Sequence, residues 1–102
     1  MNIEELKNYC ELVKKEKPAA MIPITEKNLE QAIKTAVSYG VKHYYVNYYE
    51  NWYEFWVYTY PHILDVIKSV PDSPSSAYDH WILGKLFGYS DHSISEFLTT
   101  IT

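Results

Sequence analysis

The chain has 102 residues, 47% of them apolar and 22% charged, and a formal net charge of −4. That length is one ordinary domain, with enough apolar content for a packed core without metal or disulfide support, and the charge content lies outside the disordered regime. All nine basic residues are lysine; the lack of arginine and of any basic surface speaks against nucleic-acid recognition.

Cys10 is the sole cysteine, so no internal disulfide forms and the fold does not rely on an oxidising compartment. Residues Met1 to Lys7 show neither the basic start nor the apolar run of a secretory signal. No stretch approaches the roughly 20 apolar residues that span a bilayer. The expectation is a cytoplasmic protein with no membrane partner. Residues 1–40 balance six lysines with six glutamates, whereas residues 41–102 carry three lysines against seven acids. The acidic excess therefore lies in the C-terminal part, too thin for a DNA mimic and ordinary for a solvated surface.

The first helix is predicted over Ile3 to Glu16. Asn2 is placed to cap it with Glu5 three residues on, and Ile3, Leu6, Tyr9/Cys10 and Val13 share one face. Pro18 ends it. The segments Lys17–Pro23 and Pro71–Pro74 read as loops. A second helix carries the stripe Leu29, Ala32, Ile33, Ala36, Val37, with Thr25 at its N-cap and Gly40 at its C-terminal end.

Residues 41–60 are half Tyr, Trp and Phe, a composition that favours strand. Glu50-Asn51 suits the turn of a hairpin with strands near 42–49 and 52–60. The polar positions His43, Asn47, Glu50/Asn51 and Glu54 fall at helical spacing, so an all-α domain is the alternative. Pro61 opens a third helix, His62 to Val70. A fourth spans about Ser75 to Phe87, closed by Gly88. Ser90 caps a last helix with Ile94, Phe97, Leu98 and Ile101 on one side. The corner at Gly84–Ser90 has helix–turn–helix form, but Asp91 and Glu96 without a lysine on the second helix exclude a DNA reader. The expected fold is α+β: one domain over residues 1–102, with an aromatic-rich β-hairpin packed on about five helices.

Candidate chemistry is sparse. Asp79-His80 and Asp91-His92 are adjacent pairs without the i, i+4 spacing of helical metal ligands, so solvated side chains and caps explain them better. Cys10 lies on an apolar helix face, where an inert buried thiol outweighs a nucleophile. No nucleophile elbow or glycine-rich phosphate loop is present. No catalytic residue, metal site or cofactor is expected, and the chain reads as a non-enzyme.

The aromatic hairpin carries the functional reading. Even positions Tyr44, Val46, Tyr48, Trp52, Trp56, Tyr58 and Tyr60 fall on one face; odd positions Tyr45, Tyr49, Tyr53, Phe55 and Val57 fall on the other. One face serves as core and the other stands open as a patch, unless helices cover both. Tyr and Trp dominate binding hot spots. In size, absence of Arg, Lys/Tyr/Asn/Ile-rich composition and lack of catalytic motifs, the chain resembles the small accessory proteins of phages and mobile elements in AT-rich Gram-positive bacteria. The resemblance implies stoichiometric binding, such as blocking a host enzyme. The expectation is an inhibitor or adaptor that contacts another protein through Tyr48, Glu50, Trp52, Tyr53, Glu54 and Trp56. The rival is a small-molecule or nucleotide binder that stacks a ring in an aromatic pocket, with His43, Asn47 and His80 as its polar groups. An exposed aromatic strand also opens a route to a homo-oligomer.

Overall fold

The structure, a computed structural model, describes residues 3–71 and 73–101. Among these residues five helices and three strands follow in the order α1 (Ile3–Lys15), β1 (Ala19–Thr25), α2 (Glu26–Ser38), β2 (Lys42–Tyr49), β3 (Trp52–Tyr58), α3 (His62–Ser69), α4 (Ala77–Leu86) and α5 (Asp91–Ile101). The strands form an antiparallel sheet in the order β1-β3-β2. The α+β expectation holds, with the aromatic segment as a hairpin, and the all-helical alternative falls. The Asn2 cap expected for α1 lies outside the described residues.

One expected loop is a strand. Residues Ala19–Thr25 pair along their whole length with β3, from Ala19 opposite Tyr58 to Thr25 opposite Trp52. Ala20, Ile22 and Ile24 alternate into the core, which is the period of a half-buried strand. Pro23 does not prevent this, because β1 is an edge strand, where a missing N–H is tolerated.

Two helical layers sandwich the sheet. On one face, α1 and α2 lay Leu6, Cys10, Val13, Ala32 and Ala36 against Ala20, Ile22, Ile24, Phe55 and Val57. Phe55, Leu6, Ile24 and Val57 are fully buried there, each contributing about 1.5–3 kcal/mol of apolar burial. On the other face, α3 and α4 bring Ile67 and Leu86 onto Ala19, Trp56 and Tyr58. Both sheet faces thus carry helices, so neither aromatic face is left wholly open as the alternation alone predicts.

Local signals explain the helix ends. Gly40 adopts φ +72° and Gly88 φ +82°. In each case the following N–H reaches back five residues, Val41 to Ala36 and Tyr89 to Gly84, closing the Schellman motif that needs a left-handed residue. Ser76 and Asp79 form a reciprocal capping box at α4. Ser90 accepts from the Ser93 N–H at the start of α5. Thr25 occupies the N-cap position of α2, but its hydroxyl caps no backbone N–H and instead accepts from Asn28.

Candidate interaction surface

Antiparallel pairing places cross-strand partners on one face, so the register resolves the aromatic segment into two sets. The α1/α2 face takes His43, Tyr45 and Asn47 of β2 opposite Val57, Phe55 and Tyr53 of β3. The His43 and Tyr45 rings lie parallel to Phe55 at centroid distances of 5.7 and 6.4 Å, and Tyr45 meets Tyr53 edge-on at 6.0 Å. Phe55 is core, His43 and Tyr53 are half-buried, and Tyr45 is exposed at the β2 edge.

The opposite face falls into four rows across the sheet. From the hairpin end they are Thr25–Trp52–Tyr49, Pro23–Glu54–Val46, Met21–Trp56–Tyr44 and Ala19–Tyr58–Lys42. Trp56 and Tyr58 are buried under α3 and α4, with Trp56 stacked on Phe87 at 5.5 Å. Among the described residues, the two rows nearer the turn are not buried under helices, although Glu54 and Val46 border the α3 end. Trp52 is 38% exposed, Val46 39% and Tyr49 61%, and Pro23 is exposed beside them. The sheet outreaches the α3/α4 layer by two rows, and this overhang is the candidate surface.

The hairpin tip is braced. The pairing shifts between Asn47 and Tyr49, leaving Tyr48 without a partner on β3. This bulge carries Tyr49 round to the Trp52 face, against simple alternation. The Asn47 side-chain amide donates to the Glu50 and Trp52 carbonyls at 2.7 and 3.0 Å. Glu50 holds the positive φ of the turn, 42°. The Glu26 N–H donates to the Asn51 carbonyl at 2.7 Å, fixing the loop to the first turn of α2.

Of the six expected contact residues, four reach the surface. Tyr48 and Glu50 stand exposed at the tip; Trp52 and half-buried Glu54 stand on the overhang. Tyr53 is a correction: it points to the opposite face and packs against the α1/α2 core. Trp56 is a second correction: at 5% exposure under Phe87 it is core. Three further positions on this surface lie outside the expected set: Val46, Tyr49, which a bulge carries across against alternation, and Pro23, which stands on a strand where the sequence predicts a loop.

The polar groups proposed for an aromatic pocket do not converge. His43 and Asn47 lie on the α1/α2 face, whereas His80 is on α4, edge-on to Phe97 of α5 at 5.3 Å. His80 instead borders an apolar cleft of about 500 Å³ between α4 and α5, with Leu83, Phe87, Ile94 and Phe97. The two Asp-His pairs are also dispersed. Hydrogen bonds from the Ser75 and Ser76 backbone hold the Asp79 carboxyl below its usual range. The Lys85 ammonium, 2.6 Å away, does the same for Asp91. His92 faces Glu96 one turn along. Cys10 is fully buried, which pushes its thiol up to about 11, away from the reactive thiolate.

Among the described residues, no group of three or more His, Cys, Asp or Glu is placed to hold a metal ion. None of the described helices is long and apolar enough to cross a membrane. No protein-family model, curated protein or solved structure matches the chain.

Proposed function

We propose that this chain is a non-enzymatic protein-binding module of the cytoplasm, an inhibitor or adaptor that engages its partner through the overhanging end of its sheet. The observation that carries the reading is the two-row overhang, where Tyr49, Trp52 and Val46 stand exposed beyond the rows in which Trp56 and Tyr58 are buried under α3 and α4. Exposed Tyr and Trp on a rigid frame bury large area at low entropic cost. The bracing of the hairpin by Asn47 and Glu26 pre-organises the surface and lowers the cost of association. The resemblance to phage accessory proteins fits a host protein as the partner. Affinity purification from the native host with wild type and Tyr49→Ser/Trp52→Ala tests this. A stoichiometric partner lost from the double variant supports the reading, and a partner retained at full yield refutes it.

A second reading rests on the α4/α5 cleft, whose volume of about 500 Å³ falls within the range of small-molecule sites. On that reading an apolar ring-bearing ligand sits against Phe87 and Phe97 with His80 as its polar contact. A thermal-shift screen of metabolites, repeated on Leu83→Trp to fill the cleft, discriminates it: a shift abolished by the filling variant favours the small molecule.

A further inference from the structure

We infer that the anchor recognised by this surface is a cation: a lysine or arginine side chain of the partner protein, seated beside Glu54. The inference rests on the overhang being the binding face, and it adds the chemistry of what binds there.

Glu54 occupies the middle strand of the overhang. Pro23 and Val46 lie across from it, and Trp52 and Trp56 flank it along the strand. A carboxylate is thus set into the centre of an apolar, aromatic face. It is half-buried and has no ion partner among the described residues. Beside it opens a hollow of about 220 Å³, where Trp56, Met21 and Tyr44 meet the α3 end. The lysine that lines this hollow, Lys68, is held over the Tyr44 ring at 5.6 Å. At the turn Glu50 adds a second carboxylate without an ion partner among the described residues.

Desolvation selects the occupant. Any partner that seals the overhang strips water from Glu54. An apolar or acidic anchor would leave that charge buried and unpaired, which is strongly unfavourable. A cationic anchor replaces the lost water with a charge-assisted hydrogen bond. Its alkyl stem can lie on Val46 and Pro23, and its charge on the Trp52 face gains a cation–π term. Arginine adds planar stacking on the indole. The same carboxylate penalises neutral competitors, so it supplies specificity as well as attraction.

The test uses the peptide Ac-Leu-Arg-Leu-NH2, the same peptide with neutral citrulline for arginine, and guanidinium chloride, each titrated while the tryptophan indole N–H resonances are followed by NMR. The arginine peptide is expected to move Trp52 and Trp56 with millimolar affinity and to leave Trp81, on α4, in place. Citrulline should bind at least about fivefold more weakly, the loss expected for a charge-assisted bond. Glu54→Gln should bring the arginine peptide down to the citrulline level, and Lys68→Gln should tighten it about twofold by removing a like charge. Equal binding of the two peptides or indifference to Glu54→Gln would each overturn the inference, and guanidinium ion binding as tightly as the peptide would overturn its assignment to a partner side chain. If the arginine peptide fails while partner capture still depends on Tyr49 and Trp52, the cation falls and the binding face stands. If both fail, both fall.

Discussion

Gly84 gives the sharpest test of how the C-terminal helices are held. It is buried in α4, and a Cβ built on it would lie 2.7 Å from Cγ1 and 2.9 Å from Cδ1 of Ile94. Ile94 is the buried contact by which α5 docks. Gly84→Ala removes backbone freedom and should gain about 1 kcal/mol of helix propensity. It also drives a methyl into two carbons well inside contact distance, an overpacking cost of about 1–3 kcal/mol. The expected net change is a loss of up to about 2 kcal/mol. In an Ile94→Ala background the two clashing atoms are gone, and what remains is an ordinary contact at 3.9 Å to Cβ. There Gly84→Ala should stabilise by up to about 1 kcal/mol. The sign reversal, a coupling of about 1–3 kcal/mol, is measured by urea denaturation of the four proteins of the cycle. Equal stabilisation by Gly84→Ala in both backgrounds would refute the close approach of α4 and α5.

Trp56→Ala should cost about 3–5 kcal/mol in the same assay, as expected for emptying a core aromatic site, whereas Trp52→Ala on the open rows should cost a fraction of that. Gly40→Ala meets open space but keeps φ +72°, so backbone strain alone should cost about 1–2 kcal/mol, and Gly40→Asn less. Cys10 should resist a thiol reagent at pH 8 in the folded protein and react at once in denaturant; fast labelling of folded protein contradicts its burial. Asp79 titrates in the folded protein below its usual value of 3.8. Its stabilisation of α4 is therefore present above that pH and lost as pH falls through the folded value. Wild type should exceed Asp79→Asn in stability at pH 7, with the difference vanishing in strong acid.

Much of this fold was legible because α1, α2 and α3 carry strong apolar stripes, and because α2 and α4 are closed by glycines that need positive φ, Gly40 and Gly88. The hairpin was legible from Tyr/Trp-rich composition around Glu50-Asn51, although its polar residues sit at helical spacing. β1 was not, because Pro18 and Pro23 punctuate it and edge position is a property of the assembled sheet. The site was half legible. Alternation put Trp52, Glu54 and Trp56 on one face, but which of the two tryptophans is open depends on where α3 and α4 stop. The position of Tyr49 depends on a bulge that leaves no mark in the pattern. The α4/α5 cleft arises from helix packing around Gly84 and had no linear signal.

The working surface is located most directly by where a partner touches the molecule. A photo-crosslinking amino acid at Tyr49 or Trp52 in the native host, compared with Val37 on α2 and Tyr78 on α4, measures this. All four positions are exposed. The expected result is one discrete protein adduct from Tyr49 and Trp52 and none from Val37 or Tyr78. Adducts from Val37 or Tyr78 with none from the hairpin would contradict the claim that the uncovered end of the sheet is the working surface.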